Sequence, residues 1–274
     1  MKRAFCASAW IVAGCAAAWG QKPSDAEATA LIEKSREKAL AYTRSLPDFM
    51  CSEVISRYSY SKPENGSILM GRAIPNGIKW IPTDKLTVKL SYFQQREEHK
   101  LVLLNGKPTD QKYESLAGGI ETGEFGGTLQ GIFDPATVTC FRWTSWKRVR
   151  RQRTAIFAYQ VDRAHSRYVV ASGTPGDIHS AVVGFHGDME IDHETGEVLH
   201  FTYVADDIPR AVNLDEVSTA VDYDFADVGG RSYLLPARCQ TEILSPGLSV
   251  RNVMEFREYR KFSADSSIEF GVAK

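Results

Sequence analysis

Residues 180–206, SAVVGFHGDMEIDHETGEVLHFTYVAD, constrain the fold more than any other stretch of the chain. On the first arm Val183, Phe185, Met189 and Ile191 fall on one face, with Gly187 between them, and His186, Asp188, Glu190 and Asp192 fall on the other. On the second arm Leu199, Phe201, Tyr203 and Ala205 oppose His200 and Thr202. Successive side chains of a strand point to opposite faces. Strict alternation on both arms therefore predicts an antiparallel hairpin with one buried and one wet face. Asp192-His193-Glu194-Thr195-Gly196 supplies the turn, Asp as a side-chain cap and Gly as the residue of positive φ. A chain built around this hairpin is an antiparallel sheet, and what its apolar face holds is the functional question.

The period of two recurs along the chain. Val54, Tyr58 and Tyr60 alternate with polar residues, and so do Leu86, Val88, Leu90 and Tyr92. Further strands are predicted over 99–104, 137–146, 154–162, 167–172, 216–225, 233–244 and 249–262, with Asn105-Gly106 and Ser245-Pro246-Gly247 as turns and 62–77 and 173–177 as loops. There is no repeat period and no parallel crossover pattern. About ten or eleven antiparallel strands in one sheet must curl or close. The expected fold is mainly β with an N-terminal helix: a single curled antiparallel sheet, an unclosed barrel, packed on helices.

That helix is predicted over 24–46. Ser24 and Glu27 have capping-box spacing, Ala28, Leu31, Ile32, Ser35, Ala39, Tyr42 and Leu46 form a stripe, and Pro47 ends it. A second interruption is the Gly-rich insert over 118–135. Phe125, Leu129, Ile132 and Phe133 sit there at helical spacing, which predicts a short helix over 123–133 capped by Thr122 and ended by Asp134-Pro135. Gly126, Gly127 and Gly131 each cost such a helix about 1 kcal/mol relative to Ala, so tertiary contact must hold it. Two readings follow, a mobile lid over an apolar opening or a static plug whose glycines permit close packing.

Residues 1–20 read as a targeting segment: Met1-Lys2-Arg3 is a basic start and 4–19 an Ala-rich apolar run. Ala18-Trp19-Gly20 gives a small-x-small cleavage site, and Val12-Ala13-Gly14-Cys15 resembles a lipobox that would place a lipid on Cys15. Either way the expected destination is the periplasm or beyond, as a secreted protein or an outer-membrane lipoprotein, with 21–274 as one β-rich domain. Cys51, Cys140 and Cys239 remain, so one disulfide and one thiol, or three buried thiols, are both open. With 43% hydrophobic and 24% charged residues the composition is that of a globular domain, and a net charge of -1 argues against a protein that wraps nucleic acid.

One cationic stretch stands out. Lys147, Arg148, Arg150, Arg151 and Arg153 lie beside Trp143 and Trp146. They form either a patch for an anionic partner such as a membrane surface or a soluble hairpin tip that discourages edge pairing. His186, Asp188 and His200, with His193 nearby, are the residues that a metal-dependent hydrolase would draw on, although cross-strand His–carboxylate pairs on a wet face have the same appearance. No HExxH, GxSxG or phosphate-loop pattern is present, and no cofactor is called for.

Gly187-Asp188-Met189-Glu190-Ile191-Asp192 followed by Thr195-Gly196 and a rising apolar strand resembles the hairpin of bacterial LolA/LolB-like lipoprotein carriers. Residues 223–236, with Gly229-Gly230 and Leu234-Leu235-Pro236, extend the resemblance, which covers 178–262. Leu46-Pro47-Asp48-Phe49-Met50-Cys51, Gly123-Glu124-Phe125-Gly126 and Tyr259-Arg260-Lys261-Phe262 also resemble elements of an uncharacterised family of secreted bacterial proteins. The carrier resemblance implies an unclosed barrel with a helix across its concave face that shelters acyl chains. The expected function is then a non-enzymatic envelope protein holding an apolar small molecule or acyl chain. Phe125, Leu129, Phe133, Val183, Phe185, Met189, Leu199, Phe201 and Tyr203 are its candidate contacts. The metal-dependent hydrolase and an interaction module docking through 143–153 are the alternatives.

Overall fold

The computed structural model describes residues 21–61, 79–113, 116, 125–150, 152–174 and 176–262. Expectations for the leader, the 62–77 loop, Thr122 and the Arg151 side chain lie outside these residues. Helix α1 (Asp25–Ser45) is followed by β1 (Phe49–Ser61), β2 (Ile81–Phe93), β3 (Arg96–Leu104) and the short β4 (Lys107–Pro108). Then come α2 (Gly127–Phe133), β5 (Cys140–Val149), β6 (Gln152–Val161), β7 (Val169–Thr174), β8 (Asp177–Val182), β9 (Gly184–Asp192) and β10 (Val198–Asp206). β11 (Glu216–Asp227), β12 (Ser232–Leu244) and β13 (Leu248–Lys261) are the last elements among the described residues.

Eleven strands form one unclosed antiparallel sheet in the order β4-β3-β2-β1-β13-β12-β11-β10-β9-β6-β5, and β7 and β8 pair separately. The pairing of β1 with β13 joins two meanders across a long sequence gap. Register carries one apolar row across the sheet: Trp143, Phe157, Met189, Phe201, Val221, Cys239, Met254, Ile55, Leu86 and Leu104 face one another strand by strand. Most of this row is fully buried, and it joins Leu31, Ile32 and Ala39 of α1 and Leu129, Ile132 and Phe133 of α2 in one core. Both helices lie on this face because only there can their apolar stripes leave water.

α1 begins as its sequence predicts. Ser24 Oγ accepts from the Glu27 amide at 3.2 Å, and Glu27 Oε2 accepts from the Ser24 amide at 2.8 Å. α2 is shorter than expected. Gly126 adopts φ 106° at its N-cap, so regular helix starts at Gly127 with no side-chain cap. The close packing expected of its glycines occurs at Gly126 alone, where a Cβ would press on the Tyr42 ring, whereas Gly127 and Gly131 have open space.

Several faces differ from the sequence reading. Val183 leaves the face of Phe185 and Met189: the chain breaks between β8 and β9, and Val183 packs with Val170, Val212 and Val217 in a smaller cluster. The register of β10 shifts between Val198 and His200, so Val198 takes the core position and Leu199 is half-buried. β1 buries Phe49, Cys51, Glu53 and Ile55 and leaves Val54, Tyr58 and Tyr60 on the outer face. The strand expected from 137 begins at Cys140, after a single 3-10 turn over Pro135–Thr137 and a left-handed Val138. No disulfide joins Cys51, Cys140 and Cys239.

Candidate ligand groove

Two grooves border α1, one along each half of the helix. The first lies against β11 and β12 and has a volume of about 200 Å³. One wall is the second half of α1, where small Ser35 and Ala39 leave room and Tyr42 and Leu46 frame the opening. Leu129 of α2 closes one end. Val198, Tyr223, Phe225, Tyr233 and Leu234 make the sheet wall.

Polar side chains alternate with apolar ones along this groove: Ser35, Lys38, Tyr42, Ser45, Glu197 and Ser232 line it too. Tyr42 Oη donates to the Leu234 carbonyl at 2.8 Å, and burial pushes its phenol well above the usual tyrosine range. The Tyr42 ring meets Tyr223 edge-on at 5.9 Å. Ser35 Oγ donates to Leu31 O within the helix. Lys38 and Glu197 face each other across the rim at 3.7 Å. Phe225 continues the buried series Val221, Tyr223 along β11, yet it is 51% exposed. An apolar side chain half in water beside a recess is where a flexible apolar ligand gains contact area.

The second groove, about 350 Å³, runs between the start of α1 and β5–β6. Its floor is Ile32, Phe141, Trp143 and Phe157, and Lys22, Asp25 and Arg142 stand at its edge.

Of the nine sequence candidates, Leu129 alone lines the first groove. Phe125 packs into the core on Phe49 and Phe256, with ring centroids 5.3 and 5.4 Å away, and Phe133 stacks on Phe141 at 5.3 Å. Phe185, Met189, Phe201 and Tyr203 are core side chains, Val183 lies in the smaller cluster, and Leu199 sits at the register shift. The residues missed were Tyr42, Phe225, Tyr233 and Leu234. Tyr42 was visible as a member of the helical stripe and Phe225 ended the strand expected over 216–225, but neither signal tells which residue borders a gap.

The polar candidates lie on the opposite face. His186 Nδ1 is 2.6 Å from Asp206 Oδ1, and His200 Nδ1 is 2.7 Å from Asp222 Oδ1. His200 faces Glu190, and His186 is four residues along β9 from there, about 13 Å of strand. His200 and Asp222 belong to a cross-strand row, Glu190, His200, Asp222, Arg238 and Glu255, in which carboxyl side chains alternate with His and Arg. Among the described residues no three His, Cys, Asp or Glu side chains are placed to hold a metal ion.

At the β5–β6 hairpin Lys147 pairs with Glu190 at 2.7 Å, Arg150 pairs bidentately with Asp224, and Arg153 lies 3.7 Å over the Trp146 ring. Trp143 meets Trp146 edge-on, and Trp146 Nε1 donates to the Gln21 carbonyl at 2.7 Å. Arg148 is exposed. Much of the hairpin's charge is thus answered within the protein. No helix among the described residues is long and apolar enough to cross a membrane.

No family model matches the chain, and no curated protein matches it. Solved structures do. A LolA superfamily protein from Nitrosomonas europaea aligns over 86% of this chain and 94% of its own, with 8% identity and a TM-score of 0.34. The MucA/MucB complex of Pseudomonas aeruginosa aligns over 85% of this chain and 100% of the matched one, with 9% identity and a TM-score of 0.20. A putative outer membrane lipoprotein-sorting protein domain from Vibrio parahaemolyticus covers 88% of this chain and 95% of its own, with 9% identity and a TM-score of 0.34.

Proposed function

We propose that this is an exported envelope protein that binds and carries an apolar ligand, the tail of an acyl chain, in the groove between α1 and strands β11–β12. The observation that carries the reading is the groove itself: walls of Ala39, Leu46, Leu129, Tyr223 and Leu234, a half-exposed Phe225 at the mouth, and a rim with one ion pair. Ligand pockets usually span about 300–1,000 Å³. A groove of about 200 Å³ suits one unbranched chain better than a bulky ring system. The leader-like residues 1–20 support export, and Cys15 is the position at which a lipid anchor would be attached.

The test is binding of a dansyl-labelled fatty acid to protein purified without detergent, together with native mass spectrometry of the same sample. Saturable binding is expected, and Ala39→Trp, which fills the groove from the α1 side, should weaken it at least tenfold. No saturable binding and no co-purified lipid would remove the reading. Equal binding by wild type and Ala39→Trp would remove this groove as the site.

A further inference from the structure

Glu53 lies on the inward face of β1, between Cys51 and Ile55, and is 2% exposed. Its cross-strand neighbours are Val88 and Phe256. Glu97, on β3 opposite Tyr92 and two residues before His99, carries a second carboxyl whose charge reaches Glu53. Each carboxyl keeps its Oε2 buried with no hydrogen-bond partner. His99, two residues along β3, places Nε2 3.7 Å from Glu53 Oε2, and its ring stacks on buried Tyr113 with centroids 5.4 Å apart. Tyr113 comes from the chain beyond β4, so it is the cover of this corner of the core.

Ionising both carboxyls is costly here, because each buried Oε2 has no hydrogen-bond donor and a buried charge without one costs several kcal/mol. Burial and the charge of Glu97 push Glu53 up to about 8, and burial pushes Glu97 up to about 6. The other titratable groups facing the pair are Cys51 on β1, Tyr92 on β2 and Tyr259 on β13. All three are pushed up by burial and stay uncharged at neutral pH. The groove does not use this cluster.

We propose that Glu53, Glu97 and His99, closed over by Tyr113, form a proton-held latch that fastens β3 to the sheet in mild acid and loosens it as the protons leave. Opening admits water, and the freed carboxyls ionise above their ordinary value of about 4.5. Each proton released on opening makes the opening constant rise about tenfold per pH unit. The dependence has two steps. Both carboxyls contribute between about 4.5 and 6, and Glu53 alone contributes between about 6 and 8. The latch stands independently of any ligand in the groove.

Amide hydrogen exchange on the full mature chain, corrected for the intrinsic pH dependence, tests it. Amides of β3 should be at least tenfold less protected than those of β9–β10, and their protection should fall about tenfold per unit from pH 6 to 8. Glu53→Gln, a neutral isostere of the protonated acid, should flatten that slope, and Glu97→Gln should remove one proton's worth between pH 4.5 and 6 and end the remaining slope at a lower pH, because the charge of Glu97 no longer raises Glu53. Equal protection of β3 and β9–β10 at every pH would overturn the latch, because no local opening would then exist. An unchanged slope in Glu53→Gln would also overturn it. If Glu53→Gln fails to fold, retention of the full low-pH slope in Glu97→Gln is the overturning result.

Discussion

At Gly187 the backbone of β9 runs so close to β10 that a Cβ would fall inside contact distance of the Thr202 carbonyl oxygen. Tyr159, which faces Gly187 from β6, sends its hydroxyl past it to donate to that same carbonyl at 2.7 Å. Gly187→Ala should therefore cost about 1–3 kcal/mol through forced displacement, read as a lower urea midpoint at unchanged m. A midpoint equal to wild type would mean that the strands part there without strain. The thiols give a second prediction at this scale. Cys51 and Cys239 are buried and Cys140 is exposed, and burial together with Glu53 and Glu97 pushes the Cys51 thiol well up. In the native protein a maleimide should label Cys140 and leave the other two unmodified until denaturant is added; early labelling of Cys51 would contradict the core packing. The sequence displayed Gly187 as a member of an alternating arm, and nothing local marked the close approach, because it depends on a strand paired only after the turn. Glu53 was hidden for a related reason. A lone acid in a strand is ordinarily a solvent-facing residue, and only the pairing of β1 with β2 and β13 turned it inward.

Short helices in this chain depend on their neighbours. α2 has seven residues and two internal glycines, and it is tied to α1 by Gln130 Nε2, which donates to Thr43 Oγ1 at 2.6 Å, and by Arg36, which donates to the Phe133 carbonyl at 3.3 Å. The second contact places a cation at the negative end of the helix. Gly131 is exposed and a Cβ there meets nothing within 4 Å. Gly131→Ala should stabilise the protein by about 0.5–1 kcal/mol, measured by chemical denaturation; a loss would show that the glycine answers a conformational need of the backbone. The same variant probes the groove, since Leu129 of α2 forms its end wall. If the ligand enters by displacement of α2, the stiffer helix should slow dissociation of the dansyl fatty acid, and an unchanged rate places entry on the α1 side. Helical spacing of Phe125, Leu129, Ile132 and Phe133 was enough to predict a helix here. It could not fix the start, because Gly126 takes its left-handed turn only where Tyr42 leaves no room for a side chain.

Over the whole molecule the apolar row from Trp143 to Leu104 explains why the architecture could be read from alternation: each strand had to place its apolar set on the face that the helices cover. Parity failed where both faces carried apolar residues. In β1 the outward Val54, Tyr58 and Tyr60 outweighed Ile55, whose inward neighbours Cys51 and Glu53 gave a weak signal. That inversion has a consequence for the stability of the entire fold. Asp222 is held below the usual carboxylate range by its hydrogen bond to His200, so its contribution is present above about 3.8 and is lost as pH falls through the depressed value. Glu53 and Glu97 act in the opposite sense. Their contribution is complete below about 4.5 and is lost as pH rises, through about 6 for Glu97 and about 8 for Glu53. While a carboxyl is neutral in the fold and ionised in the unfolded chain, each pH unit removes about 1.4 kcal/mol. Stability should therefore peak in mild acid and decline toward pH 8, below the neutral optimum common for globular proteins. Urea midpoints at pH 5, 6, 7 and 8 check this directly: the wild type should fall across the series, and Glu53→Gln should be nearly level above pH 6. A wild-type midpoint that climbed from pH 5 to 8 would mean that both carboxyls are ionised in the native protein, with His99, whose Nε2 lies 3.7 Å from Glu53 Oε2, as the group left to answer the inward-facing acid of β1.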